Sequence, residues 1–213
     1  MAVATPIVNA ALARPFPQED DFDDRRVGPR HISVLRVGRT VWDGADQLCV
    51  VRNLSAGGLM FECLHPPAID QHVTVELRSD KQMTGIVRWA RGIGAGIEFD
   101  AQVNVEQVLR EERGTLLRVR PRAPRFMRRG TVKLIGRESE TILGDIIDIA
   151  IGGLSCRPEQ PLRRGEPIVA SIDGIGATNA ELRWTKGDVA GIRFDKPLPW
   201  RAFQLWLDKA PRG

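Results

Sequence analysis

A repeat at a spacing of 95 residues limits this chain more than any other feature, because it requires two copies of one domain. The run Arg88-Trp89-Ala90-Arg91-Gly92-Ile93-Gly94-Ala95-Gly96-Ile97-Glu98-Phe99-Asp100 falls without gaps on Arg183-Trp184-Thr185-Lys186-Gly187-Asp188-Val189-Ala190-Gly191-Ile192-Arg193-Phe194-Asp195. At the same offset, Asn53-Leu54-Ser55-Ala56-Gly57-Gly58-Leu59 falls on Asp148-Ile149-Ala150-Ile151-Gly152-Gly153-Leu154. Two separate segments agreeing on one offset identify a duplication, and a repeat of this length is an ordinary domain in itself.

Each copy reads as short strands. Val73 to Leu77 alternates strictly between apolar and polar, and Ile86 to Trp89 and Gly96 to Phe99 continue the period of two that marks half-buried strands. Ile168 to Ile172, Ala180 to Trp184 and Gly191 to Phe194 repeat the pattern in the second copy. Turn residues such as Gly57-Gly58, Gly92 and Asp173-Gly174 punctuate the runs. Alternation places Trp89 and Trp184 in the core. Asn104, with Gln107 three residues on, caps a helix carrying Val105, Val108, Leu109 and Leu116. After the second copy, Pro199 suits a first helical turn, and Trp200, Phe203, Trp206 and Leu207 recur at helical spacing as packing residues. The expected fold is therefore mainly β, with two tandem small antiparallel β-barrels, each followed by a helix.

Composition narrows the class. With 42% hydrophobic and 27% charged residues, the chain has enough apolar surface for a core. Three cysteines, Cys49, Cys63 and Cys156, without a C-x-x-C pair, suggest buried thiols rather than disulfides or a zinc site. No run approaches the roughly 18 apolar residues of a membrane span, and Met1 to Ala13 lacks the basic start of a signal peptide, so a cytoplasmic location is expected. Charge is uneven. Residues 1–23 read as a flexible acidic leader, whereas residues 110–137 hold ten Arg and Lys against Glu111 and Glu112, a surface that attracts anions.

Ligand-binding character concentrates in two places. Arg26-Val27-Gly28-Pro29-Arg30 precedes the first strand, with Arg25 a possible third donor, and Asn53-Leu54-Ser55-Ala56-Gly57-Gly58 joins two later strands. This pairing of R-x-x-x-R with [DN]-x-S-x-x-G ahead of a small barrel resembles the PilZ family signature. The resemblance covers residues 24–118 as a first domain with the full motif, and through the repeat it extends over residues 119–213 as a second. It implies binding of cyclic di-GMP, a dianion with two guanines, by the arginines and the Asx/Ser/Gly segment. The chemistry is apt, since a guanidinium fork meets phosphate or guanine O6/N7 bidentately and also stacks on a base. Asn53 adds an amide and Ser55 a hydroxyl. Gly58 leaves room for a base or backbone to approach, and Gly57 serves a bulge or turn.

The second copy departs from the pattern. Arg125, Arg129, Asp148 and Gly153 are present, but Ala150 stands where Ser55 stands in the first. Strict offset puts Arg30 on Arg125, while a short insertion in the first copy would instead match Arg26 with Arg125 and Arg30 with Arg129. The expectation is a degenerate site.

Neither a catalytic set nor a metal site is expected: His31, His65 and His72 are scattered, and no phosphate-loop or H-E-x-x-H motif occurs. No cofactor is expected beyond the dinucleotide ligand. The chain reads as a non-enzymatic receptor that changes conformation on binding cyclic di-GMP and signals to a protein effector. The alternatives are a PilZ-like adaptor that works by protein contact alone and a small-barrel nucleic-acid binder. The last is disfavoured because the Arg-rich stretch 118–129 carries only Phe126 for base stacking.

Overall fold

The computed structural model describes residues 32–78, 81–112, 122–136, 140–165 and 167–213. The leader, Arg25, Arg26, Arg30, His31 and Leu116 lie outside the described residues, as does the boundary drawn at 118.

Six strands form the first barrel: β1 (Ile32–Trp42), β2 (Ala45–Leu54), β3 (Gly58–Cys63), β4 (His72–Arg78), β5 (Lys81–Arg91) and β6 (Gly94–Phe99). Their order is β1-β2-β3-β6-β5-β4, all neighbours are antiparallel, and β1 closes onto β4. Helix α1 (Val105–Glu112) follows. The second barrel comprises β7 (Gly130–Ile135), β8 (Thr141–Ala150), β9 (Gly153–Pro158), β10 (Pro167–Ile172), β11 (Gly176–Lys186) and β12 (Val189–Phe194), and helix α2 (Trp200–Lys209) ends it. It closes in the same order, β7-β8-β9-β12-β11-β10. The duplication seen in the sequence is thus a duplication of topology.

Alternation builds each core. Along β3, Leu59, Phe61 and Cys63 point inward and Met60 and Glu62 outward, and Val51, Leu54, Val73, Val75 and Val87 complete the first interior. Val132, Leu134, Ile149, Leu154 and Ile172 fill the second. The Asn104 Oδ1 accepts the backbone N–H of Gln107 at 3.0 Å, satisfying one of the free donors at the start of α1. Val108 and Leu109 of that helix are buried against the first core. Pro199 is the N-cap residue of α2, and Phe203 and Leu207 are its buried face.

Trp89 and Trp184 correct the expectation of burial. They are 40% and 42% exposed. The strand pairing shifts register between Val87 and Trp89, and again between Leu182 and Trp184. Each shift inserts one residue, which turns the following side chain to the opposite face.

The barrels meet through polar contacts around one arginine. Arg128, 3% exposed and located just before β7, donates through Nη2 to Asp46 Oδ1 at 2.6 Å and to the Asp46 carbonyl at 3.2 Å, both in the first barrel. Its Nε donates to the Leu207 carbonyl of α2 at 3.1 Å and its Nη1 to the Met127 carbonyl at 3.0 Å. Arg39 of β1 works in the other direction. It holds the buried Glu76 with two hydrogen bonds, at 2.8 and 3.2 Å, and donates at 2.9 Å to the Arg125 carbonyl. Leu48 of β2 packs into the second core, and Gln204 of α2 donates to the Leu48 carbonyl at 3.2 Å. Phe203 meets Phe126 edge-on at 5.9 Å beneath this contact.

Removing one member of a buried ion pair strands the other. Arg128→Ala is expected to lower stability by about 3 kcal/mol, read as a shift in the urea midpoint, whereas Arg157→Ala, whose partner Asp188 is exposed, is expected to shift it by less than about 1 kcal/mol. The three cysteines are buried and free. Burial drives the Cys49 thiol well above its ordinary pKa, with the facing Cys63 adding to the effect, and raises Cys63 and Cys156 to about 12. Iodoacetamide is therefore expected to leave all three unmodified in the native protein at mildly alkaline pH and to alkylate them after unfolding.

Candidate ligand-binding face

The segment Asn53 to Gly58 joins β2 to β3 on the outside of the first barrel. A register shift between Val51 and Asn53 bulges β2 there and turns Asn53 outward, where its amide is exposed. Its one described polar neighbour is the soft Met60 Sδ, 3.9 Å from Nδ2. A thioether is a weak acceptor, so the amide remains available. Ser55 is half-buried, and its backbone N–H and Oγ both donate to the Gly58 carbonyl, at 2.8 and 2.9 Å. The hydroxyl thus shapes the turn and keeps its lone pairs for another donor.

Gly58 serves the backbone. A Cβ there would stand 2.2 Å from the Ile97 carbonyl oxygen of β6, so the absence of a side chain is required by strand pairing. Gly153 is held in the same way, 2.4 Å from the Ile192 carbonyl oxygen. Gly57 faces open space, and its carbonyl accepts the Phe99 N–H at 2.8 Å.

Strand pairing extends the face sideways. Asn53 lies opposite Met60, Met60 opposite Gly96, and Gly96 opposite Trp89. A Cβ on Gly96 would be 2.0 Å from Trp89 Nε1, so the indole lies flat across that glycine. The result is a continuous surface of amide, thioether and half-exposed indole. Sequence reasoning missed Trp89 as a surface residue because a bulge reverses its face; the signal available was the side-chain-free Gly96 that recurs opposite it as Gly191 opposite Trp184.

The second barrel brings Arg125 and Asp148 together and leaves Arg129 apart. Arg125 Nη1 donates to Asp148 Oδ1, and Ser155 Oγ donates to Asp148 Oδ2 at 2.6 Å. Both carboxylate oxygens are therefore engaged within the chain. Arg129 is exposed, and its backbone N–H binds the Pro211 carbonyl at 2.8 Å. Phe126 pairs with Ile149 as Ile32 pairs with Leu54, so the offset between the copies is one residue shorter in the first strand than in the rest of the barrel.

Two closed six-stranded antiparallel barrels in tandem, the first bearing an open polar turn beside an exposed indole, place the chain in the class of tandem small-barrel proteins. Comparison with known families bears on the first barrel: residues 24–116 match the PilZ domain. No curated protein matches the sequence. Among solved structures it is similar to Borreliella burgdorferi PlzA in complex with c-di-GMP, at 11% identity and a TM-score of 0.38 over 81% of this chain and 87% of that one. It is also similar to Escherichia coli YcgR in complex with c-di-GMP, at 14% identity and a TM-score of 0.30 over 79% and 80%. The K. pneumonia MrkH–c-di-GMP complex gives 13% identity and a TM-score of 0.34 over 81% and 86%.

The two glycines of the turn separate packing from recognition. Gly57→Ala is expected to change stability by less than about 0.5 kcal/mol. Gly58→Ala, which forces β3 away from β6, is expected to cost about 2 kcal/mol or more, as overpacking does. Chemical denaturation of the two variants side by side reads the difference.

Proposed function

We propose that the first barrel binds cyclic di-GMP and that the protein is a cytoplasmic, non-enzymatic receptor which passes the binding event to a protein effector. One observation carries the reading: the PilZ match spans both the arginine segment and the open turn, and the chain tethers one to the other. Ser33 pairs with Asn53 across β1 and β2. Arg30 is three residues earlier in the sequence. Arg26 and Arg25 lie on the same tether. Arg26 and Arg30 are assigned to phosphate and guanine O6/N7, and Asn53 and Ser55 to a guanine edge or a phosphate. Trp89 supplies a face for base stacking. Gly57 and Gly58 keep the turn low so that a ligand can cover it.

The second barrel is assigned a supporting role, because Asp148 is engaged by Arg125 and Ser155 and because Ala150 lacks the hydroxyl. The adaptor alternative makes the opposite forecast for ligand and the same one for fold. Among the described residues no helix is long and apolar enough to cross a membrane.

Calorimetric titration tests the reading. Cyclic di-GMP is expected to bind at micromolar affinity or better, about −8 kcal/mol, with GMP and GTP much weaker. Arg26→Ala and Arg30→Ala are each expected to lose about 1.5–3 kcal/mol of binding without changing the urea midpoint. No heat at high micromolar ligand would leave the protein-contact adaptor as the function.

A further inference from the structure

A recess on the second barrel carries charge that its counterpart on the first barrel lacks. From β2 onward, the strands of the two barrels correspond at a constant offset of 95 residues, so outer positions compare one to one. Where the first barrel has Ile69-Asp70, the second has Arg164-Gly165; Glu62 and Glu98 are replaced by Arg157 and Arg193. Other changes run the other way, such as Asp148 for Asn53 and Asp173 for Arg78; the two on the β11–β12 hairpin are Glu181 at the position of Ile86 and Asp188 at that of Ile93. Both are engaged locally: Asp188 pairs with Arg157 at 2.9 Å, and Glu181 pairs with Arg183 at 2.9 Å and Arg193 at 2.7 Å.

In the first barrel, Asp70 stands 3.8 Å from Arg88. In the second, glycine takes the aspartate's place beside Arg183, and Arg164 makes no ion pair among the described residues. Arg164 and Arg183 line a recess of about 180 Å³ together with Leu162, Leu182, Trp184 and Thr185. Trp184, 42% exposed, borders the recess, and one face of its indole lies across Gly191. The recess thus combines two guanidinium groups, which bind phosphate oxygens in forked pairs, with a flat aromatic wall on which a base stacks. Its volume suits one phosphate and one ring rather than a docked helix. The neighbouring Asp148 turn, already filled by Arg125 and Ser155, does not contribute.

We propose that this recess is a nucleotide site distinct from the first-barrel face, with the phosphate on Arg164 and Arg183 and the base against Trp184. The ligand chemistry has two sources, a free mononucleotide or the phosphorylated end of a single strand. The assignment does not rest on cyclic di-GMP binding by the first barrel.

The test uses the full chain with ¹⁵N-labelled indoles, the Trp184 signal being identified by its loss in Trp184→Phe. GMP and a short 5′-phosphorylated oligothymidylate are titrated separately, with inorganic phosphate as a third arm. Saturable movement of the Trp184 signal by either nucleotide is expected, and the tighter probe identifies the source. Arg164→Glu, at an exposed position outside any ion pair among the described residues, is expected to weaken that binding by about ten-fold or more while leaving the Trp89 signal in place. Three outcomes overturn the proposal: a Trp184 signal that neither nucleotide moves, an Arg164→Glu variant that binds as well as the parent, or a shift that inorganic phosphate reproduces in full. The first-barrel reading is followed on Trp89 with cyclic di-GMP, so failure of one is distinguishable from failure of the other.

Discussion

The arrangement of this molecule depends on the buried guanidinium of Arg128. A charge removed from water is tolerated only where its donors are satisfied and a counter-charge is close. Asp46, the carbonyls of Asp46, Leu207 and Met127, and the Phe126 ring 5.9 Å away meet those needs from both barrels and from α2. The segment leading into the second barrel is thereby held against the hairpin end of β2. Arg39 reinforces it by binding the Arg125 carbonyl while its other donors hold Glu76. Two barrels that each have a complete core are joined by directional bonds, with Leu48 as an apolar bridge. Such a joint specifies one geometry more than it adds cohesion.

A second constraint acts within each barrel. The bulges between Val51 and Asn53, and between Val87 and Trp89, lie on strands separated by β3 and β6, and each turns one side chain outward. Without them, alternation would direct Asn53 and Trp89 differently with respect to the core. The bulges recur at Ile146/Asp148 and Leu182/Trp184, so the outward face belongs to the duplicated fold, and the two copies differ in what they place on it. The first copy has an amide, a thioether and a serine turn. The second has a carboxylate closed by Arg125 and Ser155, and a more basic rim beside its tryptophan. Duplication preserved the scaffold and allowed the outer side chains to diverge, since outer positions carry little of the packing energy.

Much of this was legible in the sequence. The repeat determined two barrels of one topology, period-two alternation determined strands with a buried and an exposed face, and Asn104 with Gln107 marked the start of α1. The motif residues Asn53, Ser55 and Gly58 were readable because an Asx/Ser/Gly turn has local chemistry that needs no distant partner. Tertiary structure decided what depends on register and on contacts between distant residues. Trp89 was assigned to the core because a bulge, which reverses the face of a strand, leaves no mark in apolar alternation. Gly58 was open to two explanations until the Ile97 carbonyl was found where its side chain would be. Arg125 and Arg128 looked alike within one basic run; only the fold shows the first closing over Asp148 and the second buried against Asp46, because charge in a sequence has a sign but no partner until the chain brings one to it.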